Sequence, residues 1–348
     1  MTADAVGGVW TYALELVDAL AEHDVHVTLA VMGSPRPDQR AELAASRVDR
    51  AFTGDYALEW MDHPWDDVRR AGEWLLEMAT EVEPDLVHLN GYAHASLPWE
   101  APVIVVGHSD VLSWHQAVRG KPAGDEWARY REVVESALSA ADLLVAPTRA
   151  MLDELIRLYE PACPRRVVPN GSSRTFPQRP REEVILTAGR LWDQAKNVQA
   201  LVRVAPRLSW PVDVVGAGEV DGDVRFLGRL DRGALDLALA TASVFCGPAR
   251  YEPFGLAALE AARAGCALVL GDIPSLREVW GDAAVFVAAD DDARLARALQ
   301  SVIDDRDLRA EYAGRALRRA RRYSTARMAA GYLEAYGSVL HRDRLGAT

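Results

Sequence analysis

The sequence contains few cysteines, no long apolar run and no excess of positive charge. Its three cysteines, Cys163, Cys246 and Cys266, form no C-x-x-C pair and lie in or beside apolar segments, as reduced thiols typically do. A zinc site therefore has almost no support, and we expect no metal. No apolar stretch is long enough to span a bilayer, and the amino terminus lacks the basic and apolar regions of a secretory leader. These features predict a cytoplasmic protein without an integral membrane segment.

Acidic residues outnumber basic ones. Of the 348 residues, 51 are Asp or Glu and 39 are Lys or Arg, so the formal net charge is −12. Such a charge argues against nucleic acid as the main partner, and an anionic ligand would need a local basic pocket. The length favours two domains, and the apolar share of 49% is enough for a core in each of them.

Short apolar runs rich in β-branched residues alternate with helical patterns along most of the chain. This alternation is typical of parallel strands joined by crossover helices. The polar segment "NGSSRTFPQRPRE", 170–182, is interpreted as a linker. We therefore predict an α/β fold of two Rossmann-like, doubly wound domains that face each other across a deep cleft, where ligands bind beyond the strand ends. The predicted strands begin at His26, Asp85, Pro102, Asp142, Glu183, Val212, Val224, Val244, Ala267 and Ala284.

A Gly7-Gly8 turn follows an unusually short first strand. Only Met1 to Ala3 remain for that strand, so either it is very short or the start codon has been placed inside it; we favour the second interpretation. The N–H groups of the two glycines, beside a helix N-terminus, can face an oxyanion. A tight turn that needs glycine for its φ angle explains the pair at least as well.

Two cations lie on the segment "AGRLWDQAKN", 188–197, which is expected to follow the first strand of the second domain. Arg190 is suited to bidentate contact with a phosphate, and Lys196 acts as a point charge, so together they can neutralise a diphosphate. The alternative is an exposed basic loop without a ligand.

A glutamate in a turn precedes a short helix in "ARYEPFGLAALEA", 249–261. Pro253 and Gly255 keep Glu252 in the turn, and the helix is predicted to begin near Gly255 and to end at Gly265. Its first backbone amides can bind an anion at the position over which Glu252 lies.

A second glutamate, Glu260, lies a turn and a half into that helix. Carboxylates in these two places are suited to accept hydrogen bonds from paired hydroxyls of a ribose or hexose. The alternatives are that Glu252 is a solvated turn acid and that Glu260 pairs on the helix surface with Arg263 or Arg277. Neither explains why cations and acids all follow strand ends.

The first predicted domain offers a histidine and several aromatic side chains. His108, in "VVGHSD", comes directly after a predicted strand, although a histidine there is often only a hydrogen-bonded loop residue. The segments from Leu89 and Leu112 are rich in aromatic residues, as sugar-binding sites tend to be. The candidates for contact with a sugar or an apolar ligand are Tyr92, Trp114 and His115, and ordinary packing explains the tryptophans about as well.

Seven segments together resemble the retaining nucleotide-sugar glycosyltransferases of family 4, which have the GT-B fold. They follow the family's order over nearly the whole chain: "GGVWTYALELVDAL", "VVGHSD", "VVPNG", "AGRLWDQAKN", "VVGAGE", "RFLGRL" and "YEPFGLAALEAARAGCALVLGD". Glu252 and Glu260 match the family's E-x7-E motif, including Phe254-Gly255 between them. Three alternatives are weighed: a nicotinamide dehydrogenase, supported only by the weak match "GAGEVDG"; a GT-B nucleotide-sugar epimerase or hydrolase; and a non-catalytic nucleotide-sugar-binding protein.

The resemblance implies roles for these residues. Arg190 and Lys196 would bind the donor diphosphate and offset charge on the leaving group. Glu252 would bind the donor sugar, Glu260 the ribose hydroxyls, and His108 would lie near the sugar's C6 side. The implied donor-binding set is completed by Gly7, Gly8, Gly218, Leu227, Phe254, Gly255 and Leu256.

One loop departs from the family pattern. The family commonly has five residues from the Arg to the Lys and a Gly after the Lys, whereas Lys196 lies six residues beyond Arg190 and precedes Asn197. The loop is therefore predicted to be reshaped.

The resemblance also implies a division of labour. Residues 1–170 would form an acceptor-binding domain with a truncated first strand, 171–322 the donor-binding domain, and 323–348 a helix that returns to the first. A buried stripe on that helix would consist of Met328, Tyr332, Leu333 and Tyr336.

The implied reaction uses a nucleoside-diphosphate sugar, with UDP or GDP favoured, and needs neither a metal nor another cofactor. The acceptor would be a saccharide, a lipid or a small molecule. Retention is usually assigned in this family to a same-face displacement in which the leaving phosphate oxygen deprotonates the acceptor. Arginines within 315–322 allow a peripheral membrane contact, although a solvated helix face is favoured.

Overall fold

The computed structural model describes residues 1–346, and side chains as far as residue 341. The chain divides into two compact units, one formed by residues 1–171 and the segment from 325 onward, the other by residues 172–324. Each unit contains parallel strands and flanking helices, so the predicted α/β class is confirmed.

The first unit carries two parallel ladders, in which strands pair in the orders β1-β2-β3 and β4-β5-β6-β7. The ladders are joined at β1 and β4 by Asn90, whose backbone N–H donates to Thr2 Oγ1 at 2.9 Å and whose Nδ2 donates to the Thr2 carbonyl at 2.7 Å. The first strand has three residues. The strands are β1 (Thr2–Asp4), β2 (Thr28–Met32), β3 (Arg50–Gly54), β4 (Val87–Leu89), β5 (Val103–Val106), β6 (Leu143–Ala146) and β7 (Arg165–Val167).

Six helices follow these strands, and the last helix of the chain packs against the first. Tyr332 of this last helix is fully buried, and its ring centre lies 6.0 Å from that of Tyr12. Of the predicted buried stripe, Met328, Tyr332 and Tyr336 are buried, whereas Leu333 is only partly so. The helices of this unit are α1 (Gly8–Leu20), α2 (Pro37–Ala45), α3 (Trp65–Val82), α4 (Val111–Arg119), α5 (Ala128–Ala140), α6 (Arg149–Tyr159) and α13 (Thr325–Gly346).

The second unit has one six-stranded parallel sheet in the order β10-β9-β8-β11-β12-β13. The order of the strands reverses between β8 and β11, and in sheets of this kind ligands bind beyond the carboxyl ends at that point. The strands are β8 (Glu182–Ala188), β9 (Val212–Val215), β10 (Arg225–Gly228), β11 (Ala242–Gly247), β12 (Ala267–Gly271) and β13 (Val285–Val287). The helices are α7 (Val198–Val204), α8 (Arg232–Thr241), α9 (Leu256–Ala264), α10 (Pro274–Trp280), α11 (Asp292–Asp304) and α12 (Arg306–Ala320).

The central strands of this sheet are buried on both faces. Ile185 and Val244 belong to the core on one face, while their neighbours Leu186 and Phe245 belong to the core on the other. Successive side chains of a strand point to opposite faces, so covering both with helices requires the continuous apolar runs seen in the sequence. Burial of each large apolar side chain contributes about 2 kcal/mol.

The segment between β7 and β8 is not a solvated linker along its whole length. Residues 168–181 form no helix or strand, as expected, but Asn170, Ser172 and Arg174 are buried. Arg174 packs inside the second unit, where it forms ion pairs described below.

Candidate active site

Two loops meet at the switch point of the second sheet. The loop after β8, residues 189–197, and the loop after β11, residues 248–255, carry the predicted cations and the predicted turn glutamate. The Arg250 N–H donates to the Ala195 carbonyl at 2.8 Å, and Asn197 Nδ2 donates to the Pro248 carbonyl at 2.9 Å. Two segments that lie more than fifty residues apart in the sequence are thus fixed side by side.

Lys196 and Glu252 form an ion pair between these loops. Lys196 Nζ lies 2.5 Å from Glu252 Oε2, and the side chains are 24% and 20% exposed. Both line a small pocket together with Gly255, Ala258 and Thr187. The alternative in which Glu252 is a solvated turn acid is therefore wrong, because its carboxylate is mostly buried and paired.

The helix predicted after the turn is confirmed. It begins at Leu256 and ends at Ala264, and both flanking glycines, Gly255 and Gly265, have positive φ angles, of 91° and 93°. The first amides of α9 lie at the pocket because Ala257 and Ala258 line it with Gly255. A helix N-terminus of this kind attracts an anion through its unpaired N–H groups and its dipole.

Neighbouring residues hold the turn that carries Glu252 in place. The Ser275 hydroxyl donates to the Glu252 carbonyl at 2.6 Å, and a Cβ added to Gly255 would lie 3.0 Å from Leu276 Cδ2. Phe254 is buried, with its ring edge-on to Tyr323 at 5.4 Å. The turn is thus fixed by contacts within the second unit.

Arg190 lies on the same loop as Lys196 but contacts other groups. Its Nη2 lies 2.8 Å from Asp193 Oδ2, and its guanidinium carbon lies 5.3 Å from the centre of the exposed Trp192 ring. Burial would raise the pKa of Asp193, but the charge and hydrogen bond of Arg190 and the amide of Ala195 outweigh it, so the pKa is lowered. The carboxylate therefore stays ionised and holds the arginine.

The departure from the family loop pattern has a local explanation. Asn197 takes the left-handed conformation, with φ of 52°, where the family commonly has glycine after its lysine. Asparagine tolerates this region better than most residues. Its side-chain amide also donates to the carbonyls of Pro248 and Ala289, at 2.9 Å each.

The loop after β9 packs against the arginine loop. Gly218 has φ of 130°, and a Cβ there would lie 3.0 Å from Leu191 Cβ. Gly216 was missed by the sequence analysis, although a Cβ there would lie 1.9 Å from the Gly189 carbonyl oxygen. On the next strand, Leu227 is 40% exposed.

Glu260 does not line the pocket that Lys196 and Glu252 share. It is buried, and one carboxylate oxygen contacts the guanidinium of Arg174. The alternative that pairs it with Arg263 or Arg277 on the helix surface is wrong, because Arg277 bonds Asp272 and Arg263 Nε donates to the Arg174 carbonyl.

In the first unit, one backbone N–H of the Gly7-Gly8 turn is already hydrogen-bonded within the turn. The Gly7 N–H donates to Asp4 Oδ1 at 3.2 Å, and Val6 N–H donates to the same oxygen at 2.8 Å. Gly8 is exposed and is the first residue of α1. Its position suits contact with an anion better than that of Gly7 does.

His108 is held by a neighbour that the sequence analysis missed. Its Nε2 lies 2.8 Å from Asn90 Oδ1, and its ring centre lies 4.4 Å from that of Tyr12. Burial lowers the pKa of His108 to about 3, so the ring is neutral near pH 7. Because the amide oxygen only accepts, the proton is on Nε2 and the lone pair is on Nδ1.

The three acceptor candidates differ in accessibility. Tyr92 is buried and its hydroxyl donates to the Ser109 carbonyl at 2.9 Å, so its ring is packed inside the unit and offers no stacking face. Trp114 and His115 are partly exposed neighbours on α4, with ring centres 5.2 Å apart. The Arg119 guanidinium carbon lies 5.7 Å from the centre of the Trp114 ring.

Solved structures share this architecture. Sucrose-phosphate synthase from Thermosynechococcus elongatus superimposes with a TM-score of 0.79 at 18% identity, covering 100% of this chain and 96% of that one. Alr3699/HepE from Anabaena, in complex with UDP and glucose, gives 0.75 at 14% identity, covering 97% and 100%. Among the described residues, no helix is both long and apolar enough to cross a membrane.

Family models and curated relatives agree with one another. The model described as Glycosyltransferase Family 4 matches residues 6–174, and that described as Glycosyl transferases group 1 matches residues 172–319. A glycogen synthase of Mycobacterium tuberculosis is 30% identical, covering 86% of this chain and 83% of that protein. A phosphatidyl-myo-inositol mannosyltransferase of Mycolicibacterium smegmatis is 34% identical, covering 97% and 91%. The chain therefore belongs to the family 4 glycosyltransferases and has their GT-B fold of two Rossmann-like domains.

Proposed function

We propose that the chain transfers a hexosyl group from a nucleoside-diphosphate sugar to an acceptor hydroxyl, with retention of anomeric configuration and without a metal ion. The observation that carries the proposal is the Lys196–Glu252 pair in the pocket at the N-terminus of α9. At the switch point of a doubly wound sheet, it combines a cation and helix amides for a diphosphate with a carboxylate for sugar hydroxyls.

The ion pairs of this site suit donor binding. Glu252 neutralises Lys196 and Asp193 neutralises Arg190, so neither cation is left unpaired in a partly buried place. An incoming diphosphate supplies a competing anion for Lys196. Glu252 then becomes available to accept hydrogen bonds from the donor sugar.

The nucleotide is proposed to be UDP, with GDP as the alternative. Support comes from Alr3699/HepE, a structural neighbour whose solved complexes contain UDP or UDP-glucose. We assign base and phosphate contacts to backbone groups around Gly218, the exposed Leu227 and the turn 254–256. Gly8 and, less directly, Gly7 are assigned to the phosphate.

The proposed transfer is a same-face displacement. The bond from the anomeric carbon to the leaving phosphate oxygen breaks as the bond to the acceptor oxygen forms, and the acceptor proton passes to that phosphate oxygen. Arg190 and Lys196 offset the charge that builds on the diphosphate. His108, neutral and fixed through Nε2, presents Nδ1 as a hydrogen-bond acceptor for a sugar hydroxyl.

The acceptor is proposed to be a saccharide or a lipid-linked hydroxyl compound. The relatives at 30% and 34% identity are named as a glycogen synthase and a phosphatidyl-myo-inositol mannosyltransferase, which span these two classes. Trp114 and His115 are the proposed contacts, since their rings are partly exposed. Tyr92 is left out because it is buried.

A transfer assay tests this proposal. The protein is incubated with UDP-, GDP-, ADP- and dTDP-hexoses of α configuration and a panel of acceptors, while diphosphate release is measured and the product anomer is identified by NMR. We expect one donor to react, to give an α-linked product, and to do so equally in EDTA. Glu252→Gln should abolish transfer, whereas Glu135→Gln, on an exposed helix face, should not. A β-linked product, loss of activity in EDTA or no reaction with any donor would overturn the proposal.

A further inference from the structure

The second unit contains a charge cluster that joins three separate segments of chain. Arg174 precedes β8, Asp236 lies on α8 and Glu260 lies on α9. Arg174 Nη1 contacts Glu260 Oε1 and Nη2 contacts Asp236 Oδ1, while the arginine side chain is only 7% exposed. The arginine is thus buried between two carboxylates that are distant in sequence.

The backbone and ring contacts of Arg174 fix its position. Its N–H donates to Ser172 Oγ at 3.2 Å, and its carbonyl accepts from Arg263 Nε at 3.0 Å. Its guanidinium carbon lies 5.4 Å from the centre of the Phe176 ring. Because the Arg174 backbone is bonded at its N–H and its carbonyl and the guanidinium lies over a ring, the guanidinium is a rigid fork that can fix the direction of each carboxylate.

The cluster carries more acid than base at its centre. Burial raises the pKa of Glu260 and of Asp236, although Arg174 opposes the shift at both. The charged groups that act on Glu260 from the packed elements are Arg174, Asp236 and Arg232, the last at the start of α8. Arg174 is therefore the group that most strongly opposes the rise in the pKa of Glu260.

We propose that Arg174 is a positioning residue of the donor site, which orients the Glu260 carboxylate for the ribose hydroxyls of the nucleotide, with Asp236 as a second acid that shares its guanidinium. The proposal rests on the function proposed above. Arg174 Nη1 donates to Oε1 of Glu260, so Oε2 is the oxygen that we assign to a ribose hydroxyl. An ionised carboxylate with one oxygen fixed is a stronger and better aimed acceptor than a free one.

The test measures the preference for a ribonucleotide over its 2′-deoxy analogue, and not only the affinity for one nucleotide. Calorimetry would measure binding of UDP and 2′-deoxy-UDP, and of GDP and 2′-deoxy-GDP. We expect the wild type to prefer the ribonucleotide about tenfold, the value of one hydrogen bond to a charged group. Arg174→Lys, which keeps the charge but loses the fork, should shrink this preference at least about threefold. Arg277→Lys, whose arginine pairs with Asp272 on the surface, should leave it unchanged.

The pH dependence of binding separates positioning from a structural role. Binding weakens as pH falls through the pKa of Glu260, because its carboxylate is then protonated. Arg174→Met removes a cation and should raise the pH at which binding is half lost by about one unit. Asp236→Asn removes an anion and should lower that pH. The measurement spans about pH 5 to 8. If Arg174→Met does not fold, Arg174→Lys and Asp236→Asn still decide the matter.

Each outcome has a distinct meaning. The positioning role is overturned if Arg174→Lys loses affinity equally for the ribonucleotide and the deoxyribonucleotide, and if Asp236→Asn does not shift the pH at which binding is half lost. The proposed function would still stand. Absence of binding by any nucleotide to the wild type would instead overturn the proposed function and this inference with it.

Discussion

Lys196 and Glu252 form an ion pair in which each partner has a separate proposed task once a donor is bound. The lysine is proposed to contact the diphosphate, and the glutamate is proposed to contact the sugar. Their distance of 2.5 Å, between Nζ and Oε2, places both groups at one point of the pocket.

Removing the lysine should affect catalysis more than folding. In Lys196→Ala, charge on the leaving diphosphate loses one cation, so we expect kcat/KM to fall about 100-fold, the usual cost of losing one such electrostatic contact. Steady-state kinetics would measure this. Lys121→Ala, at an exposed position, is the matched control and should be unaffected. Activity of Lys196→Ala within twofold of wild type would assign the phosphate contact elsewhere.

Single residues also mark the limit of sequence reasoning. Glu252 was recognisable because a turn and a helix start surround it locally. Arg174 was not, because its partner Glu260 lies 86 residues away and nothing near Arg174 in the sequence indicates burial. Tyr92 was a reasonable acceptor candidate in an aromatic-rich segment, yet only the packing of the unit reveals that it is buried.

At the scale of elements, the central strands that are buried on both faces were all predicted, and β10 was predicted from its short apolar run although it is mostly exposed. The sequences of β8 and β11 are continuous apolar runs because helices cover both faces of the sheet at these strands. β3 and β7 were missed. They are the outer strands of their ladders, and their residues are exposed or only partly buried, so they carry no apolar run.

The last helix offers a test of element packing. Tyr332 is fully buried against α1 and neighbouring rings, so Tyr332→Ala should lower the free energy of unfolding of the first unit by about 3 kcal/mol. Leu333→Ala, one residue along and partly exposed, should cost about 1 kcal/mol. Urea denaturation would measure both. Equal effects from the two changes would mean that α13 is not held by this stripe.

At the scale of the whole molecule, stability should depend on pH through His88, which is buried, and His108, which is partly buried. Burial lowers the pKa of both His88 and His108 to about 3. As pH falls below their ordinary value of about 6.5, the unfolded chain takes up protons that the native state does not, so stability is lost. The loss is at most about 1.4 kcal/mol per pH unit for each histidine.

Denaturation at several pH values checks this expectation. His108→Gln should flatten the decline in the free energy of unfolding between about pH 6.5 and pH 5, since one of the two groups no longer titrates. His26→Gln, at an exposed position where Asp49 raises the histidine's pKa, should not flatten it. An identical slope in wild type and His108→Gln would show that His108 is protonated in the native state.

The second unit is proposed to bind a nucleotide-sugar donor, and a thermal-shift panel tests this binding. Wild type and Glu260→Ala are melted with UDP, GDP, ADP and dTDP and their common sugars. A ligand that binds the native state at 100 times its Kd stabilises it by about 2.7 kcal/mol. We predict that one nucleotide raises the melting temperature of the wild type and that the mutant loses most of this gain. A wild type that melts cooperatively, with no shift from any nucleotide, would contradict the proposed donor site.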